Sequence, residues 1–133
     1  MTMVDELRGE NDEIKDLSDV LSKLVATDTL RTNTVFCELL HRFQTKLDSH
    51  LKHEARSLYP ELLSHQDDGI KKIARDFMSN THELERILSK YVKRWCKHIN
   101  SENHVEFENE TNHIFQLVNR RISMEESHLF SML

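Results

Sequence analysis

One apolar helical face occurs twice in this chain, 71 residues apart, in residues 50–62 and 121–133. At about 100° per residue, one side of a helix centred on Leu47 holds, within roughly 40°, Phe36, Leu40, Phe43, Leu51 and Leu58. The match extends upstream, and its pairs are Phe36 with Phe107, Phe43 with Ile114, Leu47 with Val118, Leu51 with Ile122, Glu54 with Glu125, Leu58 with Leu129, Tyr59 with Phe130 and Leu62 with Leu133. The repeat predicts two long helices that bury the same kind of face.

Polar residues interrupt this apolar face at equivalent positions. With Leu47 as its centre, Glu54 lies about 20° away and His50 about 60° away, one helical turn apart. A carboxylate buried without a partner costs several kcal/mol, so Glu54 is expected to face a cation, a metal or a hydrogen-bond donor. The second copy brings Glu125 to the same face, and Arg121 stands where the first copy has His50.

The composition favours one all-α domain spanning residues 1–133. Only two glycines and one proline interrupt the chain, and its 31% of charged residues suits long solvated helices. The net charge of −5 and the lack of a basic block argue against nucleic acid and anionic membranes as partners, whereas a protein partner with a basic surface is compatible. Cys37 and Cys96 show neither metal-ligand spacing nor a disulfide framework, and are interpreted as reduced thiols of a cytoplasmic protein.

Four helices are predicted, over residues 11–27, 33–65, 69–99 and 102–132, after a loose lead-in of residues 1–10. Thr32 or Asn33 and Ser101 are expected as caps, and Pro60 should end or kink the second helix near Tyr59. Short connections between consecutive helices predict an antiparallel up-down-up-down four-helix bundle.

The phase of the third helix separates two neighbouring residues. With Leu84 as the centre of its buried face, Thr81 lies about 60° away and His82 roughly 160° away. Thr81 is therefore expected to line the polar site, and His82 is expected to face solvent.

These residues resemble the hemerythrin, or HHE cation-binding, family. The specific part is His50 and Glu54 in an HxxxE pattern, followed by Leu58, Tyr59 and Pro60. The resemblance implies a four-helix bundle in which helices two and four each carry HxxxE, and helices one and three each add a histidine. It also implies carboxylates that bridge two non-haem irons.

Carried over by position, the resemblance implies an incomplete ligand set. His50, Glu54 and Glu125 match family ligands, whereas Arg121 replaces the histidine of helix four and has no lone pair for a metal. Thr81 occupies the helix-three position. Helix one offers Leu17, Ser18 or Asp19. The expected function is a non-catalytic protein with a degenerate site for iron or another divalent metal, in metal, oxygen or stress sensing or regulation.

Three interpretations of the polar cluster stay open: a metal-free ion cluster bridged by Arg121, a remaining metal site, and an acid/base pair. A second resemblance, to anti-sigma regulators of the Rsd and AlgQ type, rests on Phe36-Cys37-Glu38-Leu39-Leu40 and on Arg121 with Glu125. It implies a metal-free module that binds a protein partner.

Overall fold

The chain folds into an antiparallel bundle of long helices. The computed structural model describes residues 2–27, 34–98 and 104–133, and these contain helices and no strand. Helix α1 packs against α2 and α5, and α4 packs against the same two helices, so α1 and α4 lie on opposite corners. The α-helices are α1 (Met3–Val25), α2 (Thr34–His53), α3 (Tyr59–Leu63), α4 (Asp68–His98) and α5 (His104–Met124). The predicted all-α four-helix bundle is confirmed.

Helix α1 begins eight residues before the predicted start at Asn11. The Thr2 hydroxyl accepts a hydrogen bond from the Asp5 amide at 3.1 Å, and the Asp5 carboxylate accepts one from the Thr2 amide at 3.3 Å. This capping box satisfies two amides that a helix start leaves unpaired. The prediction of a loose lead-in was therefore wrong for the described part of residues 1–10. The buried positions of α1 are Leu7, Asn11, Ile14, Ser18, Leu21 and Val25.

The other boundaries agree with the sequence within a few residues. Asp67 accepts a hydrogen bond from the Gly69 amide at 2.8 Å at the start of α4, which turns the chain between α3 and α4. The predicted turns at 28–32 and 100–102, with the caps Thr32, Asn33 and Ser101, lie outside the described residues.

A π-helical turn follows α2 at Glu54–Leu58, and a second follows α5 at Glu125–Leu129. In each, the carbonyl of the glutamate accepts a hydrogen bond from the amide five residues later. The two turns occupy equivalent positions of the 71-residue repeat. Because Ser131 replaces Pro60 in the second copy, proline is not required for the turn. Such turns are frequent at functional sites.

The buried side chains form two apolar clusters rather than one continuous core. The larger cluster surrounds Phe43, Trp95 and Phe107, and the smaller one surrounds Leu58, Tyr59 and Leu129. Every residue paired by the repeat is buried in both copies except the last pair, in which Leu62 is buried and Leu133 is half exposed.

A disulfide joins Cys37 of α2 to Cys96 of α4, with 5.3 Å between their Cα atoms. The prediction of reduced thiols is therefore wrong. The two cysteines are 59 residues apart in sequence but nearly equidistant from the turn between α3 and α4, so the antiparallel pairing brings them together. Proximity in the fold, which linear spacing does not show, decides their state.

None of the described helices is long and apolar enough to cross a membrane. The predicted cytoplasmic location was inferred in part from reduced thiols. The disulfide removes that basis, because disulfides persist mainly in oxidising compartments.

Candidate metal centre

A layer of buried polar side chains separates the two apolar clusters. Each of the four long helical segments contributes to it, and each contributing residue is at most 7% exposed. Its members are Asn11 of α1, His50 of α2, Glu54 of the first π turn, Thr81 of α4, Arg121 of α5 and Glu125 of the second π turn. Both carboxylates of the layer therefore stand at the first residue of a π turn.

His50, Glu54 and Glu125 bring one nitrogen and two carboxylate oxygens within 4.8 Å of one another. His50 Nε2 lies 2.9 Å from Glu125 Oε1 and 3.4 Å from Glu54 Oε1. All three side chains are at most 1% exposed. Imidazole nitrogen and carboxylate oxygen are donors that divalent transition metals accept. We call these three residues the buried triad.

Glu10 of α1 holds the other nitrogen of His50. The Nδ1 of His50 lies 2.8 Å from Glu10 Oε1, and the second oxygen of Glu10 lies 2.8 Å from Nδ1 of His53. A carboxylate on the far nitrogen fixes the tautomer and the ring orientation of a metal-binding histidine. Glu10 thus directs Nε2 of His50 toward the two carboxylates of the triad.

The guanidinium of Arg121 fills the other side of the layer. Its Nε donates to Glu125 Oε2 at 2.7 Å, and its Cζ lies 4.9 Å from the centre of the Phe77 ring. The planar fork suits this arrangement because it can donate in several directions at once. The remaining acceptors are the Phe77 carbonyl at 3.0 Å, Asn80 Oδ1 at 2.8 Å, Glu54 Oε1 at 3.4 Å, Tyr59 Oη at 2.7 Å and Thr81 Oγ1 at 2.9 Å.

The layer holds the two carboxyl groups in different protonation states. Burial and the neighbouring Glu125 raise the pKa of Glu54 well above its usual range. Burial opposes ionisation of Glu125 too, but His50 and Arg121 more than compensate and lower its pKa. Burial likewise opposes charging of His50, yet the hydrogen bond and charge of Glu125 raise the pKa of His50 to about 9. At neutral pH, Glu54 is therefore neutral, Glu125 anionic and His50 cationic.

The triad fits one cation but not two. Among the described residues, Glu54 Oε2 and Asn11 Oδ1 are buried oxygens without a hydrogen-bond partner, which is costly unless something is bound there. Asn11 is also anchored by a hydrogen bond of 3.2 Å from its Nδ2 to Glu125 Oε1. Arg121, in contrast, occupies Glu125 Oε2 and has no lone pair. A second cation would meet a fixed positive charge.

A cavity of about 420 Å³ between α4 and α5 reaches the layer from the side of Arg121. Phe77, Asn80 and Arg121 line it, whereas no residue of the triad does. Of the six residues of the layer, Arg121 is the one that lines this cavity.

The structure places all five site residues predicted from the sequence in one layer. His50, Glu54 and Glu125 converge, while Arg121 and Thr81 lie beside them and contact each other at 2.9 Å. His82 is exposed, as its helical phase predicts.

The expectation for the first helix was wrong, because Asn11 and Glu10, not Leu17, Ser18 or Asp19, reach the layer. Ser18 is buried but bonds the carbonyl of Lys15. The missed signal is Asn11, which lies on the buried face of α1, where buried residues recur at alternating intervals of four and three residues. The predicted helix began at Asn11, so Leu7, one turn earlier on the same buried face, lay outside it together with Glu10.

Comparison with known proteins decides the family. The model of the hemerythrin HHE cation binding domain matches residues 2–133, which is essentially the whole chain. The chain belongs to this family. No curated protein and no solved structure matches it. Membership of the HHE family, together with the buried triad, supports a hemerythrin-like metal-binding protein, and a divalent metal such as iron is the cofactor that the family suggests.

Proposed function

We propose that this protein binds a single divalent cation at the buried triad and acts as a non-catalytic sensor or regulator of metal, oxygen or stress. The observation that carries the proposal is the convergence of His50 Nε2 with oxygens of Glu54 and Glu125 within 4.8 Å. The Glu10 carboxylate on Nδ1 of His50 supports it, because this is the outer-shell contact that metal-binding histidines usually make.

Ferrous iron is the cation that we propose first. One imidazole and two carboxylates suit iron, and manganese or zinc would compete for the same donors. Bound iron would supply one-electron chemistry with oxygen. The chain itself holds the ligands in place, keeps Glu54 Oε2 and Asn11 Oδ1 as spare oxygens, and excludes water from the triad.

The surroundings of the triad support a role without turnover. His50, Glu54 and Glu125 are almost completely buried, and the adjacent cavity opens on Arg121 instead. A substrate would therefore have to displace a guanidinium that makes six hydrogen bonds. Binding of a cation at the triad does not require displacement of Arg121, whereas binding of a substrate does.

Cation binding would be coupled to proton release and to bundle packing. A metal ligand must be deprotonated, so binding removes the Nε2 proton of His50 and the proton of Glu54. The cation would then connect α2 with both π turns, while Glu10 ties α1 to the same histidine. Such a change in charge and rigidity is a signal that a partner protein could read.

The test is metal binding to the disulfide-bonded protein. Purified protein stripped with a chelator is titrated anaerobically with Fe²⁺ and, separately, with Mn²⁺ and Zn²⁺, while calorimetry records stoichiometry and proton release in two buffers. We expect one ion per chain, bound with release of protons. Glu54→Gln should abolish binding, and the exposed His82→Ala should leave it unchanged. Two ions per chain would contradict the single site.

A metal-free interaction module is the second candidate, and a specific observation favours it. The Arg121 guanidinium already satisfies Glu125 Oε2 and contacts Glu54 Oε1, so the layer is largely neutralised without a metal. On this alternative, a protein partner such as a sigma factor binds the bundle surface. Absence of binding for all three metals, together with a partner that co-purifies equally with wild type and Glu54→Gln, would support it.

A further inference from the structure

A second cluster of metal-ligand side chains lies apart from the polar layer. Cys37 and His41 are one turn apart on α2, and Cys96 of α4 faces them. The two sulfurs and a ring nitrogen of His41 all lie within 4.8 Å of one another. His41 Nε2 is 3.8 Å from the Cys96 sulfur.

This cluster is spatially independent of the buried triad. His41 precedes His50 by nine residues in the same helix, which corresponds to a rise of about 14 Å. The two cysteines are half-buried and His41 is exposed, so solutes can reach the group. A ligand bound at this cluster would therefore be independent of the proposed function of the triad.

We propose that reduction of the Cys37–Cys96 disulfide creates a binding site for Zn²⁺ or a similar thiophilic divalent cation, with Cys37, His41 and Cys96 as ligands. Two thiolates and one imidazole with a water in the fourth position form a known type of zinc site. In the oxidised state the sulfurs are bonded to each other and offer no thiolate. Oxidation and metal binding therefore exclude one another at this position.

The existing geometry requires only small adjustments. A tetrahedral zinc site with bonds of about 2.3 Å to sulfur and 2.0 Å to nitrogen separates a sulfur from the nitrogen by about 3.5 Å. The observed distance of 3.8 Å from His41 to Cys96 is close to that value. The two sulfurs must move apart to about 3.8 Å. Rotation of two half-buried side chains on fixed helices accomplishes this.

The interconversion balances with a small disulfide, RSSR, as oxidant. Binding of Zn²⁺ to the two thiols and His41 releases two protons. In the reverse direction one cysteine thiolate attacks RSSR and expels RS⁻, and the second thiolate then attacks the mixed disulfide and expels another RS⁻. The Cys37–Cys96 bond forms, two RS⁻ leave, and Zn²⁺ is released. A small dithiol reverses the oxidation.

The test uses Co²⁺ as a spectroscopic probe of the full-length protein. All proteins carry Glu54→Gln, so that the buried triad does not contribute, and each is titrated once as the disulfide and once after reduction and removal of the reductant. We expect the reduced protein to bind one Co²⁺ with a sulfur-to-cobalt charge-transfer band. We expect the oxidised protein to show no such band. Addition of a small disulfide should remove it.

His41→Ala tests the ligand role without removing the disulfide. Because His41 is exposed, this variant should fold. Its Co²⁺ affinity should fall by at least about tenfold, because loss of an outer-shell partner alone usually costs that much and His41 is proposed as a direct ligand. The exposed His82→Ala serves as its matched control. Equal Co²⁺ binding in the two oxidation states, a reduced protein without the charge-transfer band, or unchanged affinity in His41→Ala would each overturn the proposal. Failure of the triad to bind metal would leave these results unaffected.

Discussion

Arg121 Nε lies 2.7 Å from Glu125 Oε2, one turn further along the chain, and this ion pair occupies the carboxylate edge that a second cation would need. His50 takes the opposite edge, at 2.9 Å from Glu125 Oε1. Glu125 is thus shared between the permanent cation Arg121 and the titratable imidazole of His50.

Arg121→Ala should lower the free energy of unfolding by about 3 to 5 kcal/mol, because it breaks a buried ion pair and leaves several acceptors unpaired. Urea denaturation of the metal-free protein would measure the loss. The neighbouring and exposed Arg120→Ala is the control and should change stability by less than about 0.5 kcal/mol. Adding Glu125→Gln to Arg121→Ala should restore part of the stability. Additive losses would mean that the two side chains are not coupled.

Arg121→His should raise the affinity of the layer for a divalent cation. It removes a unit charge from the site, an effect worth about 4 kcal/mol at 4 Å and an effective dielectric of 20, and it adds a nitrogen donor. Arg121→Gln separates the two contributions, because it removes the charge without adding a nitrogen ligand. Competition with a chromophoric chelator would rank the three proteins. Equal affinities would show that the guanidinium does not oppose the cation.

Glu10→Gln should weaken cation binding by about 10- to 100-fold, since outer-shell partners of metal-binding histidines have effects of this size. Glu10 accepts from Nδ1 of His50 and does not itself enter the triad. Glu13→Gln is a suitable control, because Glu13 is 66% exposed and pairs with Lys46. Unchanged affinity in Glu10→Gln would show that Glu10 does not orient the histidine.

The metal-free protein should lose stability as pH rises from 6.5 to 9. The pKa of His50 is raised to about 9, so its contribution is complete below 6.5 and disappears as pH passes about 9. The pKa of Glu54 is also raised, so deprotonation of Glu54 lowers the stability as pH rises above 4.5, its ordinary pKa. The lowered pKa of Glu125 gives the opposite sign, a loss as pH falls below 4.5. Stability should therefore be highest in mildly acidic solution.

Chemical denaturation in a chelator, measured at pH intervals, would test this profile. Between pH 6.5 and 9 the free energy of unfolding should fall by about 1 kcal/mol per pH unit for each of His50 and Glu54. The double variant His50→Gln with Glu54→Gln should show a much flatter profile. A flat wild-type profile over this interval would contradict a charged His50 and a neutral Glu54 in the folded protein.

Reduction of the disulfide should lower the free energy of unfolding by about 4 kcal/mol, the chain-entropy value for a closed loop of nearly 60 residues. The urea midpoint with and without reductant, in the presence of a chelator, measures it. The double variant Cys37→Ser with Cys96→Ser should match the reduced protein and be insensitive to reductant. An unchanged urea midpoint of the wild-type protein in reductant would show that the disulfide does not contribute to the free energy of unfolding.

The helical repeat allowed most of the layer to be predicted. His50, Glu54, Arg121 and Glu125 share an apolar stripe whose 3.6-residue period is visible in the chain, and Thr81 follows from the phase of its own helix. Period and phase are local properties, which is why they sufficed for these residues.

Three features required the folded structure. Asn11 and Glu10 reach the layer because α1 starts early, at a capping box formed by Thr2 and Asp5. The polar sequence of residues 1–10 did not indicate this helix start, and helix ends are the least well defined part of a helix. The disulfide depends on the pairing of two antiparallel helices. The π turns depend on packing, since in a continuous α-helix Tyr59 would lie about 120° from Leu47, yet it is buried and bonds Arg121.

The two π turns give each helix one residue more than a regular α-helix of that path would contain. Deleting one residue between Glu54 and Leu58 would restore regular hydrogen bonding and would leave Tyr59 eleven residues after Leu47, about 20° away on a regular α-helix. Tyr59 would then stay on the buried face beside Arg121, and the smaller apolar cluster would keep its direction toward the layer. The π turn therefore absorbs one extra residue between the buried carboxylate and the aromatic residue that follows it, and it does so at the same position in both halves of the repeat.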